Sequence, residues 1–174
     1  MKRWAYILVP AMLVLLALLS FGLTNDPRSI PSPLIGKPFP LLHGQDLNGN
    51  PVSLGKIKDK PLVVNVWASW CTACREEHAT LVRNSRKYAD QVELIGIDYK
   101  DSLADAQGWL NTLGNPYEWV FFDNNGRAGI ELGVYGVPET FFVNKDGIII
   151  NKYAGPLTDR ILSENIAKLN QATK

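Results

Sequence analysis

The two cysteines of the chain, Cys71 and Cys74, are separated by two residues and follow an apolar run at 62–67. That run predicts a buried strand, and the residues from Ala73 onward predict a helix. A Cys-x-x-Cys pair at a strand-to-helix turn is typical of thiol–disulfide exchange. Free N–H groups and the dipole at the start of the helix favour a thiolate. We therefore predict that Cys71 is an exposed nucleophile and that Cys74 is a buried thiol that resolves a mixed disulfide.

Two other uses of a cysteine pair are a zinc site and a covalently attached haem. A tetrahedral zinc site needs two further ligands, and the histidines of the chain are His43, in an unrelated loop, and His78. A c-type haem would need histidine directly after Cys74, where Arg75 stands instead. Zinc remains an alternative, but we predict a redox-active disulfide with no metal and no further cofactor.

Polar residues share the helix that follows the cysteines. Glu77 lies three residues after Cys74, so the two fall on one helix face. If burial raised its pKa toward neutral, this carboxylate could take a proton from Cys74 during resolution. Periodicity by itself favours a solvated glutamate instead, as expected for Glu76. His78 is predicted to be a hydrogen-bonded helix residue rather than a catalytic base.

Four residues outside this helix are candidates for shaping the site. Val137 and Pro138 precede a predicted strand, and a proline cannot donate to the ladder of that strand. An ordinary strand-entry proline is the alternative. Glu139 could make the rim of the site acidic, or it could be a surface charge beside a turn. Trp70 could offer an apolar contact to a partner, or it could pack in the core.

Hydrophobic segments predict the elements that must position these residues. Strands are expected at 62–67, 92–97, 119–122, 140–143 and 148–153, helices at 73–88, 103–113 and 158–170, and a helical turn at 129–133. Residues 36–40 are expected to form an extended edge, and Thr158 is expected to cap the last helix. The β-α-β-α half calls for parallel strands with right-handed crossovers, and a hairpin and a closing helix follow it.

The N-terminal segment predicts a membrane anchor. Residues 4–23 carry no charge, and a helix of that length spans about 30 Å, which is one hydrocarbon thickness. Lys2 and Arg3 precede it, so the positive-inside rule exports everything that follows. A cleaved signal peptide with a site near 20–22 is the alternative. The expected organisation is a cytoplasmic N-terminus at 1–3, an anchor at 4–23, a tether at 24–35 and a domain at 36–174.

Length, charge and cysteine count limit the function classes. The 174 residues suffice for one domain plus an anchor, and the net charge of +1 comes with no basic patch that would indicate nucleic acid binding. Export would place the cysteines in a compartment where disulfides persist. A bridge across a two-residue gap removes little chain entropy, so we expect the pair to serve chemistry rather than stability.

Several runs of the chain resemble the CcmG/DsbE family, the membrane-tethered thioredoxin-like reductases of cytochrome c maturation. They are 35–38, 65–78, 99–101, 113–117 and 133–140. The most specific are the Glu-His pair after the cysteines and the Gly-Val-Tyr-Gly-Val-Pro-Glu-Thr run that ends at Thr140. The family usually has proline directly after the first cysteine. This chain has Thr72 there, which adds a hydroxyl and an N–H near the sulfur.

The resemblance implies an α/β thioredoxin fold, which is a central mixed β-sheet flanked by helices, behind an N-terminal transmembrane helix. It implies that the two cysteines are the redox pair and that Pro138 is a cis-proline that faces them. Glu77 and Glu139 would be the acidic residues of the site. Asn65 stands where ordinary thioredoxins keep a buried aspartate, which makes Glu77 the better candidate for the proton-handling acid.

The resemblance also implies a location and a client. The protein would be a single-pass protein of a bacterial inner membrane, with its domain facing the periplasm. It would receive electrons from a membrane donor of the DsbD/CcdA type and reduce the Cys-x-x-Cys-His disulfide of apocytochrome c or of a haem-ligation partner. Two alternatives remain: a broader exported disulfide reductase, and a non-enzymatic module that binds apocytochrome by strand pairing beside Pro138.

Overall fold

A computed structural model describes residues 2–23, 32–55 and 60–171. The chain divides into two compact units, 1–30 and 31–174. In the first unit, helix α1 runs over Lys2–Leu23, and its described leucine, valine and methionine side chains are 51–64% exposed. Within the described parts of the chain, no helix is both long enough and apolar enough to cross a membrane. Residues 24–31 of the predicted tether lie outside the described residues.

The described part of the second unit is a mixed sheet with helices on both faces. The strands are β1 Leu42–Asp46, β2 Pro51–Leu54, β3 Leu62–Trp67, β4 Glu93–Tyr99, β5 Trp119–Asp123, β6 Glu139–Val143 and β7 Ile149–Ala154. The helices are α2 Thr72–Tyr88, α3 Leu103–Leu113, α4 Arg127–Glu131 and α5 Asp159–Gln171. The strand order is β2-β1-β5-β4-β3-β6-β7. Strands β3, β4 and β5 are parallel, and the other neighbouring pairs are antiparallel. This arrangement is the thioredoxin-like fold that the resemblance implies.

The central strand β3 is buried along its whole length. All six of its residues are shielded from solvent, as expected for a parallel strand that is covered on both faces. Val63 and Trp67 pack in one cluster with residues of α2, α3 and α5. Val64 and Val66 pack in the other cluster, with α4. Because β3 is packed on both faces, its C-terminal end has a fixed position in the sheet. The turn that follows it therefore holds the cysteines at a defined place.

The predicted elements from β3 onward agree with the structure to within about two residues, the usual uncertainty of element ends. The strand predicted at 92–97 is β4 at Glu93–Tyr99, and the helical turn predicted at 129–133 is α4 at Arg127–Glu131. The cap predicted for the last helix is confirmed, because the Thr158 Oγ1 accepts a hydrogen bond from the backbone N–H of Ile161 at 3.3 Å.

Sequence patterning misses the hairpin formed by β1 and β2. Glycine and proline, both unusual in strands, stand at Gly44 in β1 and at Pro51 in β2. Gly44 is required because a Cβ there would collide with the ring of Phe121. The extended edge predicted at 36–40 pairs with the start of β7, through a bridge between Pro38 and Ile148 and backbone hydrogen bonds from Gly36 N to Ile149 O at 2.8 Å and from Ile149 N to Lys37 O at 3.0 Å.

Candidate active site

The cysteine pair lies where β3 ends and α2 begins. Cys71 and Cys74 form a disulfide, with 5.2 Å between their Cα atoms. Cys71 is the N-cap of α2, and its Sγ accepts a hydrogen bond from the backbone N–H of Cys74 at 3.0 Å. The first sulfur therefore lies at the positive end of a helix, which favours an anionic sulfur once the disulfide is reduced.

Cys71 is less accessible than the sequence predicts, whereas Cys74 is buried as predicted. In the disulfide form Cys71 is 5% exposed and Cys74 is 2% exposed, so the prediction of an exposed Cys71 is wrong for this state. The loop before β6 contributes to this burial, because the carbonyl oxygen of Val137 lies 3.5 Å from the Cys71 Sγ. A partner disulfide must therefore reach the sulfur beside this loop.

The residues on either side of the disulfide are held by backbone contacts. The Val137–Pro138 peptide bond is cis, and the carbonyl oxygen of Pro138 accepts a hydrogen bond from Gly155 N at 2.9 Å. Trp70 is 57% exposed, so the alternative that it packs in the core is wrong. Its indole Nε1 donates to the carbonyl oxygen of Lys100 at 3.1 Å, which leaves an exposed ring on a fixed anchor.

Glu77 is a buried acid on the Cys74 face of α2. It is 1% exposed, so the solvated position that periodicity favours is wrong. Its Oε1 accepts from the Asn65 Nδ2 at 2.8 Å, and its Oε2 accepts from the backbone N–H of Leu157 at 2.7 Å. Burial raises the pKa of Glu77 to about 7, although both hydrogen bonds oppose the rise because they favour the carboxylate.

Asn65 connects this acid to the rest of the site. Its Nδ2 donates to the Thr140 Oγ1 at 3.0 Å as well as to Glu77, and its Oδ1 accepts from the Tyr117 hydroxyl at 2.7 Å. The side chain has no exposed surface. Burial, followed by the charge of Glu77, raises the pKa of Tyr117 well above its usual value, so the phenol remains a donor.

His78 has a structural environment, in agreement with its prediction. Its Nδ1 accepts from the Trp109 indole N–H at 3.2 Å, which leaves the Nε2 proton to be donated to the carbonyl oxygen of Gly114 at 2.8 Å. Burial lowers the pKa of His78, and the charge of Arg75 adds to this effect. The neutral ring therefore has both nitrogen atoms occupied and links α2 to the end of α3.

Glu139 occupies neither of its two predicted places. Its side chain is 1% exposed, and its Oε2 lies 2.7 Å from the Lys152 Nζ in a buried ion pair. An acidic rim and a surface charge are therefore both wrong for this residue. Neighbouring strand residues point to opposite faces, and Thr140 faces Asn65. Glu139 thus lies on the other face of the sheet from Glu77, so the structure separates the two predicted acids.

Asp98, near the end of β4, is a buried acid that carries no sequence prediction. It has no exposed surface, and in the part of the chain that the structure describes neither of its carboxyl oxygens has a hydrogen-bond partner of good geometry. Burial, followed by the charge of Asp101, raises the pKa of Asp98 to about 8. An aspartate within a run that predicts a buried strand was the available signal. Among the described residues, no group of three or more His, Cys, Asp or Glu side chains is placed to hold a metal.

The chain is similar to known proteins in both sequence and structure. The model of the AhpC/TSA family matches residues 35–152. The thiol:disulfide interchange protein DsbE of Pseudomonas fluorescens biotype C is 40% identical over 99% of this chain and 96% of that protein. The protein of the same name from Escherichia coli K12 is 42% identical over 83% of this chain and 78% of its own length. A solved DsbF homologue from Corynebacterium diphtheriae superposes with a TM-score of 0.71 at 25% identity, covering 83% of this chain and 97% of that one.

A thioredoxin-like fold with a Cys-x-x-Cys disulfide at the start of its first sheet-packed helix defines a thiol–disulfide oxidoreductase. The two relatives match 99% and 83% of the chain and carry one name. The chain belongs to the DsbE family of thiol:disulfide interchange proteins, within the AhpC/TSA family.

Proposed function

We propose that this oxidoreductase acts as a reductase in cytochrome c maturation. Its client would be the Cys-x-x-Cys-His disulfide of apocytochrome c, or a haem-ligation partner that holds the same sulfurs. Membership of the DsbE family is the observation that carries this proposal. The runs that resemble the CcmG/DsbE reductases include the cysteine turn and the cis-proline loop, which approach each other at the Cys71 sulfur.

In the proposed reaction the Cys71 thiolate attacks one sulfur of the client disulfide. A mixed disulfide forms, and the other client sulfur leaves as a thiolate that takes up a proton. The Cys74 thiolate then attacks the Cys71 Sγ and releases the second client sulfur. The client gains two electrons and two protons as a dithiol, and the protein gives up both as it returns to its disulfide. A membrane donor of the DsbD/CcdA type would reduce it again.

Glu77 is the proposed acceptor of the Cys74 proton. It lies on the same buried helix face as that cysteine, and its pKa of about 7 allows it to hold or release a proton near neutrality. Trp70, Val137 and Pro138 are proposed to receive the client. The exposed Trp70 ring offers an apolar contact, and the backbone before the cis-proline offers strand pairing.

We also propose that α1 anchors the protein in the inner membrane and that the domain faces the periplasm. The uncharged run at 4–23 and the exposed apolar side chains of α1 support the anchor. The charges of Lys2 and Arg3 support the orientation. Residues 1–3 would then be cytoplasmic, 24–35 would be the tether, and 36–174 would be the exported domain.

A second candidate function is a broader exported disulfide reductase. The burial of Glu139 favours it. Because this carboxylate does not reach the surface, it cannot contribute to an acidic rim that would restrict the choice of clients. An exposed aromatic ring beside the disulfide also suits many polypeptides.

Trapping the client separates these candidates. The Cys74→Ala variant cannot resolve the mixed disulfide, so the client should remain attached to Cys71 and be identified by mass spectrometry. The matched control is the Cys71→Ser/Cys74→Ser variant, which cannot form the adduct. Apocytochrome c or a haem-ligation protein as the main adduct supports the first function, and a wide set of unrelated adducts supports the second. If the double-serine variant still restored cytochrome c assembly, the protein would act as a binding module and the reductase proposal would fail.

A further inference from the structure

A buried ion pair contacts loop 133–138, which ends in the cis-proline. Lys152 lies on β7 and Glu139 at the start of β6, and their side chains are 5% and 1% exposed. The Lys152 Nζ lies 2.7 Å from the Glu139 Oε2 and donates to the carbonyl oxygen of Gly133 at 2.8 Å. The Glu139 Oε1 accepts from the backbone N–H of Tyr135 at 3.3 Å. The pair thus contacts the loop backbone at two points.

The same lysine also contacts two aromatic rings. Its Nζ lies 4.7 Å from the centroid of the Tyr135 ring and 5.3 Å from that of Phe141, within the range of a cation–π interaction. The Phe141 side chain is buried, whereas Tyr135 is 61% exposed. The lysine therefore holds a loop ring that remains available to solvent.

A contribution to stability does not account for this pair. Taking two charges out of water carries a large desolvation penalty, and apolar replacements of similar volume are often as stable or more so. What apolar residues could not do is fix two polar backbone groups of the loop. That loop places the Val137 carbonyl oxygen 3.5 Å from the Cys71 sulfur, so a shift of its backbone would change the space in which a client disulfide is attacked.

We propose that Lys152 is a positioning residue of the exchange reaction. By binding the Gly133 carbonyl, the Glu139 carboxylate and the Tyr135 ring together, it holds loop 133–138 where a client segment can pair beside the cysteines. Glu139 then acts as an acceptor for the loop backbone rather than as an acid of the site. This inference rests on the proposed disulfide exchange at Cys71 and extends it to a residue on β7.

The test compares two oxidants that differ in their need for the loop. Dithionitrobenzoate is a small disulfide with no peptide backbone, whereas a cyclic peptide with a Cys-x-x-Cys-His disulfide must pair beside Pro138. In the reduced full-length chain, Lys152→Met should slow the reaction with the peptide by about 10- to 100-fold and change the reaction with dithionitrobenzoate by less than about twofold. The matched control is Arg160→Met, which removes one positive charge from the exposed pair with Glu164 and should slow neither reaction.

A second variant keeps the test decisive should Lys152→Met fail to fold with an unpaired Glu139. Glu139→Gln/Lys152→Met removes both charges and keeps an amide oxygen for the Tyr135 N–H. Its reaction with the peptide should remain slow, because the contacts with Gly133 and the Tyr135 ring are still lost. A double variant with the wild-type peptide rate overturns the inference. Equal losses with both oxidants also overturn it, because they would indicate a general effect on the sulfur.

The cytochrome c proposal is judged separately, with wild-type protein alone. A cyclic peptide disulfide of the same ring size but without the histidine serves as the second peptide. Equal wild-type rates with both peptides count against the cytochrome c client. The ratio of variant to wild-type rate, with either peptide, decides the role of Lys152.

Discussion

Two physical effects oppose each other at Glu77. Burial favours the neutral acid, whereas the hydrogen bonds from Leu157 N and the Asn65 Nδ2 favour the carboxylate. The balance leaves the pKa at about 7. Both protonation states are then populated near neutrality, as the proposed transfer of the Cys74 proton to Glu77 requires.

The pKa of Glu77 makes the stability of the oxidised protein depend on pH. The folded carboxyl keeps its proton up to about pH 7, whereas the unfolded one loses it near 4.5. The free energy of unfolding should therefore fall as the pH rises from 4.5 to about 7, by an amount on the order of 3 kcal/mol. Glu77→Gln should remove this part of the slope, as measured by urea unfolding at several pH values.

The control for this experiment is Glu76→Gln, because Glu76 is an exposed neighbour on α2. It should leave the slope unchanged. Asp98 contributes a slope of the same sign, since its pKa is raised to about 8, and this part should persist in both variants. A Glu77→Gln slope identical to that of the wild type would refute the assignment of a raised pKa to Glu77.

Single residues differ in how far sequence can predict their surroundings. The face shared by Cys74 and Glu77 follows from helix periodicity, but the depth of Glu77 does not, because Asn65 and Leu157 that bind it lie far away in sequence. The pairing of Glu139 with Lys152 depends on strand register, which no local pattern contains. The predicted surroundings of Glu77 and Glu139 were wrong because both residues bind partners that local sequence patterns do not show.

At the scale of elements, Asn65 joins three of them. It lies on β3 and binds Glu77 on α2, Thr140 on β6 and the Tyr117 hydroxyl just before β5. A single buried amide thus holds the cysteine-bearing helix against the strand that follows the cis-proline. The position of α2 relative to β6 therefore depends on the Asn65 side chain.

Replacement of Asn65 by alanine should therefore loosen these elements. Glu77 and Tyr117 would each lose a hydrogen-bond partner in the core, and the free energy of unfolding should fall by about 3 kcal/mol. The pKa of Glu77 should rise further, since the bond from Asn65 lowers it. Urea unfolding measures the first effect, and the pH dependence of unfolding measures the second.

The matched control is Asn170→Ala, whose amide Nδ2 donates to the Gln91 Oε1 at the surface. It should change the free energy of unfolding by less than about 0.5 kcal/mol. An Asn65→Ala variant as stable as this control would show that the amide does not hold the elements together.

The elements themselves were predictable where burial is uniform. β3 and β4 form because an apolar run can be buried on both sheet faces, and α3 ends at Gly114 because that residue takes φ 91°. The hairpin β1–β2 was not predictable in the same way. Its Gly44 is set by the ring of Phe121 on β5, a partner that only the assembled sheet brings near.

At the scale of the whole molecule, the two units carry different kinds of surface. The second unit buries its apolar residues in two clusters on either side of the sheet. The described apolar side chains of α1 are mostly exposed. Exposed leucines along one helix require an apolar environment or a partner, and the proposed membrane anchor would supply the first.

The anchor is tested by charging the helix. Leu13→Lys/Leu16→Lys places two lysines within α1, each costing about 3 kcal/mol near the centre of a bilayer. The wild-type chain should stay with bacterial membranes through an alkaline carbonate wash, and this variant should be released. Asn170→Lys/Gln171→Lys adds the same charge to the exposed end of α5 and should behave as wild type. Release of the wild-type chain at a mass lacking about the first 20–22 residues would identify a cleaved signal peptide instead, because an anchor has to remain attached to the domain it holds.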